Sequence, residues 1–312
     1  MRIFYIAEIT GKVGIWAVKK HIACIRHTYQ PDFIIANADK ATGAGGLGKQ
    51  HAGYLKKMGV DCVVGTDCIF QKKDLVEALP HMPFVLRPCN LSPYSPGHGY
   101  RYFFTRRGEK LAVISLLGRV GQHRLLADNP FIVMQSLLSE IQKETNVIAV
   151  DFSSLATAEK QTMAFFLAGK VSALIGSGTG AATADAQLMA AADTPPCLPM
   201  GGDADELPAA ALQGDTFQYA DTQAASADTS GGIQSGLKTA YITDAGRTGS
   251  FDSVGGHAPS SKIREYRTGL FEYPQETWQR VCVQGVDIEL DGAGSARSIE
   301  RVRIELPQSG NS

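Results

Sequence analysis

Short apolar runs alternate along the first half of the chain with stretches whose apolar positions recur every three to four residues. Residues 2–6, 33–36 and 62–65 are runs of the first kind. Their length and β-branched content predict buried strands. Residues 12–28 place Val13, Trp16, Ala17, Ile22 and Ile25 at helical spacing, which predicts an amphipathic helix. Helices are also expected over 49–58 and 72–79. The middle continues in the same way. Two strands at 100–105 and 110–116 are joined by a short turn, then come a helix (131–143), a strand (147–151), a helix (156–167) and a strand (171–175). Strands that alternate with helices predict βαβ units and a largely parallel sheet, so the fold class is α/β. Later strands, at 239–243, 277–283, 286–290 and 299–304, follow one another with little helix between them. That order predicts a more antiparallel region.

The pattern breaks between 190 and 236. This stretch is rich in Ala, Asp, Gly, Thr, Ser, Gln and Pro and poor in aromatic and β-branched residues. Such a segment buries too little apolar area to offset its ordering entropy. It is expected to be a disordered acidic insertion in a single domain formed by 1–189 and 237–306, with a flexible tail at 307–312. Charge sharpens the contrast. The chain of 312 residues has a net charge of -1, yet from Val171 to Leu237 it holds eight acids and no Lys or Arg. The near-neutral total provides no strong field for polyanions. The six cysteines form no C-x-x-C pair, which fits free thiols in a reducing, cytoplasmic setting. No uninterrupted apolar run reaches the ~18 residues of a membrane span, and no secretory signal is visible.

In an open α/β sheet, ligands sit beyond the carboxyl ends of the strands. Five loops fall there: Ala7-Glu8-Ile9, Ala38-Asp39-Lys40, Gly65-Thr66-Asp67, Asp151-Phe152-Ser153-Ser154-Leu155 and Gly176-Ser177-Gly178-Thr179-Gly180. Around them lie stretches that carry a family likeness. They include Ile35-Ala36-Asn37, Arg87-Pro88-Cys89-Asn90, Pro96-Gly97-His98-Gly99-Tyr100 and Leu117-Gly118-Arg119-Val120. Further along come Ala156-Thr157-Ala158-Glu159-Lys160, Thr183-Ala184-Asp185, Ala240-Tyr241-Ile242-Thr243-Asp244 and the run from Thr248 to Val254. In these stretches the chain resembles the YmdB-like family of bacterial metallophosphoesterases, a branch of the calcineurin-like superfamily.

The resemblance implies a calcineurin-like sandwich of mixed β-sheets flanked by helices, and a two-metal phosphodiesterase site. It also implies which positions would carry the chemistry. The family's G-D-I loop gives an Asp ligand where this chain has Glu8. Its G-E-N loop gives Glu and Asn where Asp39 and Lys40 stand. Its G-N-H loop gives Asn and a catalytic His, the general-acid position, where Thr66 and Asp67 stand. Its D-F-H-A-E loop gives a His at Ser153, and its G-T-H-T-H loop gives two His at Gly178 and Gly180. All eight positions depart from the family residue while the flanking stretches are kept.

These substitutions oppose metal. Glycine offers no side chain, a serine hydroxyl is a poor substitute for imidazole, and an ammonium repels a cation. The expectation is a pseudoenzyme without a resident metal, in which either Lys40 takes over the charge role of the missing ion with Glu8, Asp39 and Asp67 gathered around it, or these positions have drifted since selection on catalysis ended. Weak Mg²⁺ or Ca²⁺ on Glu8, Asp39 and Asp67 is the remaining metal option. A phosphodiesterase with a rebuilt carboxylate site is the alternative function.

Among other features, Arg119 and Lys40 are candidates for binding at the former site. The histidines, including His98, His123 and His257, match no ligand position and read as surface or structural. The run Gly43–Gly48 lacks the phosphate-loop pattern G-x-x-x-x-G-K-[ST], because Lys49 is followed by Gln50. The basic pairs, such as Lys19-Lys20 and Arg106-Arg107, have no interleaved aromatics, so nucleic acid is not expected as a partner. The expected partners are an unidentified protein, reached through the 190–236 insertion, and a second copy of the chain, the latter implied by the resemblance.

Overall fold

The computed structural model describes residues 1–43, 45–121, 125–191, 236–273 and 275–305. The expectations for the 190–236 insertion, the 307–312 tail and His123 therefore lie outside the described residues, apart from 190, 191 and 236. The architecture is two face-to-face β-sheets with helices on both outer faces. The first sheet is built on β1 (Arg2–Ile6), β3 (Phe33–Asn37), β4 (Cys62–Val64) and β5 (Val85–Leu86), all parallel neighbours. On the other side of β1 it continues through β13 (Val281–Leu290), β12 (Arg247–Ser250) and β2 (Glu8–Ile9), with β14 (Ala296–Glu305) also paired to β13. The second sheet has the order β10 (Gln187–Ala190), β11 (Lys238–Ile242), β9 (Ala173–Ser177), β8 (Ile148–Ser153), β7 (Lys110–Leu117) and β6 (Tyr100–Phe104). Its four inner strands are parallel and its two outer strands antiparallel.

Three apolar clusters hold these layers together. The central one joins the sheets, with Ile3, Tyr5, Phe33 and Ile35 from the first facing Val113, Ala149, Ile175 and Ile242 from the second. The alternate residues of the same strands face outward. Phe4, Ile6 and Ile34 pack under α1 (Gly11–Tyr29), α2 (Lys49–Met58) and α3 (Lys73–Ala78). Ile114, Val150 and Phe152 pack under α4 (Pro130–Ile141) and α5 (Thr157–Leu167). Strands buried on both faces read as continuous apolar runs, which is why these were visible in the sequence. Among the described residues, no helix is long and apolar enough to cross a membrane.

Two departures have clear causes. The strands expected at 277–283 and 286–290 are one strand, β13. Gly285 lies between the two expected strands; it sits opposite Ile6 in the ladder with β1, and a Cβ there would lie 2.0 Å from the Tyr5 carbonyl oxygen. Close backbone approach, not a turn, requires that glycine. The second departure is α6 (Pro259–Thr268), which the apolar pattern missed because Ser261 is its only buried residue. Its punctuation was readable: Pro259 opens it, and Gly269, in the left-handed region, closes it with an N–H to the Glu265 carbonyl.

Candidate functional site

The strand ends of the two sheets converge on one group of loops. In the first sheet, β2 pairs with β12 through Glu8 opposite Arg247. Thr10 bridges to Lys40, and the Gly11 N–H donates to the Lys40 carbonyl. This backbone stitching sets the Lys40 side chain over Glu8. Its Nζ donates to both Oε1 and Oε2 of Glu8 at 3.0 Å. Burial raises the Glu8 carboxyl, and Lys40 opposes that rise. For Lys40, burial works to lower the ammonium, but Glu8, with weaker help from Asp39 and Asp67, reverses this and raises it above the ordinary lysine range.

Asp39 is next in sequence to Lys40 but turns elsewhere. It is fully buried and accepts hydrogen bonds from the Thr66 N–H (2.7 Å), the Thr66 hydroxyl (2.7 Å) and the Cys68 N–H (2.8 Å). Burial first, and then the like charge of Asp67, push its carboxyl up to about 7, against the pull of those donors. The expected gathering of three carboxylates around Lys40 is therefore only partly realised. Glu8 touches the ammonium, whereas Asp39 and Asp67 act on it at a distance. The group of metal-ligand type is also different from the one expected. It is Asp39, Asp67 and Cys68, whose ligand atoms lie within 4.8 Å of one another. Glu8 is outside it, and Lys40 occupies both of its oxygens. Cys68 was overlooked in the sequence, where it lies one residue beyond the loop motif.

The second sheet contributes a buried polar network. Asp151 accepts from the Tyr5 hydroxyl (2.5 Å), the Asn37 amide (3.2 Å) and the Ser177 hydroxyl (2.7 Å). Tyr5 and Asn37 belong to the first sheet, so this carboxylate ties the two sheets together; burial pushes it up to about 6. Nearby, Lys160 on α5 donates to Asp244 (3.0 Å) and to the Ser177 carbonyl (3.0 Å), with both charged side chains only 1% exposed. Asp244 also accepts from the N–H and hydroxyl of Thr179 and from the Gly246 N–H.

That network carries the Gly176–Gly180 loop. Gly178 has φ +105° and Gly180 φ +66°, both in the left-handed region that side chains rarely adopt. A Cβ on Gly178 would lie 2.9 Å from Ser153 Oγ and 3.0 Å from the Ser154 carbonyl oxygen. A Cβ on Gly180 would lie 3.3 Å from Glu8 Oε1, so this loop closes on the Lys40–Glu8 pair from the other sheet. Ser153 Oγ is buried and has no hydrogen-bond partner among the described residues.

Two further residues border the site. Arg119 is exposed, and its backbone N–H donates to Glu159 at 2.8 Å; its guanidinium makes no ion pair among the described residues. His257 was set aside in the sequence, yet it lies within electrostatic reach of Lys40. Burial and then Lys262 lower its imidazole, and its Nδ1 is buried without a partner among the described residues. It is bridged to Glu276, whose carboxylate accepts from the Lys12 N–H at 3.1 Å.

Comparison with known proteins follows the same outline. A family model described as YmdB-like protein matches residues 4–194 and 222–302. A 2',3'-cyclic-nucleotide 2'-phosphodiesterase of Bacillus subtilis is 28% identical over 305 residues, covering 97% of each chain. A putative phosphatase/phosphodiesterase of Mycoplasma genitalium is 26% identical and covers 98% of this chain and 94% of its own. A crystal structure of a hypothetical protein from Thermus thermophilus superposes with a TM-score of 0.76 at 25% identity, covering 98% of this chain and all of the other.

Proposed function

Because the chain belongs to the YmdB-like family, a family related to metallophosphoesterases, we propose that it is a catalytically degenerate member. It keeps the phosphoesterase scaffold and serves as a scaffold or regulatory interaction protein. The observation that carries this reading is the Lys40 ammonium seated on both oxygens of Glu8. A cation already neutralises the carboxylate that a first metal would need. The donor set also does not fit a two-metal centre, which requires imidazoles and carboxylates around both ions. Gly178 and Gly180 have no donor. Their backbone conformations also disfavour any side chain, so the loop itself has settled into a form without ligands. The partner we assign is a protein with basic surface, matched to the window from Val171 to Leu237 with its eight acids and no base.

A second reading is an active phosphodiesterase with a rebuilt site. It is favoured by the printed activity of the Bacillus relative and by the Asp39, Asp67 and Cys68 group. Two carboxylates and a thiol could hold one ion. The ion would compete for Asp39 with the Thr66 and Cys68 donors already bonded to it. The two readings separate in a turnover assay. Purified protein with added Mn²⁺ is offered a bis-aryl phosphodiester and 2',3'-cyclic nucleotides. The first reading expects no hydrolysis above a metal-only control. Metal-dependent turnover that disappears in Asp39→Asn and Asp67→Asn would establish the second.

A further inference from the structure

Between β12 and β13 the chain leaves the body as a strap over 251–280. Its base is closed. The Phe251 N–H donates to the Arg280 carbonyl at 3.0 Å, Arg280 pairs with Asp252 at 3.2 Å, and the guanidiniums of Arg280 and Arg303 lie 4.8 and 3.8 Å from the centre of the Phe251 ring. Beyond the base little apolar burial holds it. Ser261 is the one buried residue of α6, which turns Ile263 (57% exposed) and Tyr266 (86%) to solvent. Segments with few buried apolar contacts open at low free-energy cost. The strap's position therefore rests on a few contacts beside the strand-end site. Gly256 presses on Thr10, whose side chain leaves no room for a Cβ there. Glu276 covers Gly11 and accepts from the Lys12 N–H, at the N-terminus of α1, where a carboxylate is favoured. Trp278 meets Trp16 edge to face at 5.5 Å. Thr10 and Gly11 are the residues that stitch Lys40 into place, so strap and site share this stretch of backbone.

His257 stands where these contacts meet. Val254 and His257 exchange both backbone hydrogen bonds around Gly255 and Gly256, whose φ values of +60° and +90° suit a two-residue hairpin turn. The hairpin fixes the imidazole, and a bridge to Glu276 ties it to the returning limb of the strap. In the neutral ring the buried Nδ1 can remain a bare acceptor. Protonation puts a hydrogen on it, and an unpaired buried donor costs more when its group is charged. The charges that face the ring do not repair this. Lys262 of α6 and Lys40 repel an imidazolium, while Glu276 and Glu265 attract it. Lys262 and Glu265 are also paired with each other at 2.8 Å. Burial, followed by Lys262, holds the ring below the ordinary histidine range.

We propose that protonation of His257 in mild acid releases the strap from Thr10 and Gly11 and opens the strand-end site on that side. The inference is independent of whether the site is catalytic. The released strap binds this proton more tightly than the docked one, so docking is complete above about pH 6.5 and weakens as pH falls below it. Hydrogen–deuterium exchange of the full chain at about pH 7.5 and about pH 5.5, corrected for the intrinsic exchange rate, tests this on the wild type, His257→Gln and Lys262→Met. Wild-type strap peptides should exchange about threefold or more faster in acid, below a ceiling of about tenfold per pH unit. Peptides from β1 and β8 should not, because Asp39 and Asp151, both raised by burial, favour the fold in acid. H257Q should lose the pH effect in the strap, and K262M should show a smaller one. A proton NMR titration of the His257 ring in the wild type reads the same linkage without any substitution, and its midpoint should lie below the ordinary value of about 6.5. Wild-type strap exchange that does not change with pH overturns the proposal. So does a pH effect that persists in H257Q, or a His257 midpoint at or above the ordinary value.

Discussion

Two lysine–carboxylate pairs stand at the ends of the two sheets, and they differ in what surrounds them. Lys160 and Asp244 are sealed from water, and Asp244 has further donors from Thr179 and Gly246. Every charge there has a protein partner, and the pair supports the loop above it. Lys40 and Glu8 form a pair of the same length, but the lysine is one-third exposed and Glu8 has no other donor among the described residues. The first pair is built into the scaffold. The second stands where the family resemblance implies metal ligands, and a water-facing ammonium does a job that a bound cation could do. The difference teaches that an ion pair's surroundings, more than its distance, separate a pair sealed into the scaffold from one that faces the site.

The contrast can be broken most forcefully at Lys160. Replacing it with methionine leaves Asp244 buried and uncompensated, which should cost about 3–5 kcal/mol, read from urea unfolding. A loss below about 1 kcal/mol would mean that the buried pair is not structural. Lys40→Met should cost less, about 1–2 kcal/mol, since the ammonium is part-exposed. Adding Glu8→Gln should recover part of that loss, because the carboxylate left behind is the source of the cost. If K40M is as damaging as K160M, the two pairs play the same role and the comparison fails.

The smallest effect concerns pH. Asp39 sits at about 7 in the folded protein against an ordinary 3.8. The folded state therefore binds this proton more tightly than the unfolded chain, and stability is lost as pH rises from about 4 through 7. Asp151, raised to about 6, acts in the same direction over a narrower window. Asp67→Asn removes the like charge beside Asp39. It should gain on the order of 1 kcal/mol over the wild type as pH climbs through that window, with no difference below it. A wild-type-minus-variant difference that stays flat with pH would show that Asp67 does not act on Asp39.

Much of this was legible in the sequence, for physical reasons that also mark where it stopped. The paired sheets put strands such as β1, β3 and β4 between two apolar layers, so their apolar runs were easy to read. β13 was split because a glycine needed for close backbone approach looks the same as a turn glycine. α6 was missed because its apolar stripe faces outward and no core periodicity records it. At the site, the loops were placed by their motifs, and the residue types alone raised the question of metal at Lys40, Gly178 and Gly180. What sequence could not supply was direction. Asp39 turns to the Thr66 and Cys68 donors and away from its neighbour Lys40, and His257 arrives near Lys40 from a segment more than two hundred residues away.

The central claim is that Lys40 and the two glycines have replaced a two-metal centre. Elemental analysis of the full-length protein, equilibrated with Mn²⁺ and then desalted, tests it most directly. Retention well below one ion per chain is the predicted result, unchanged in Asp39→Asn. Two ions per chain would contradict the account outright, and one ion lost in D39N would move the function to the Asp39, Asp67 and Cys68 group.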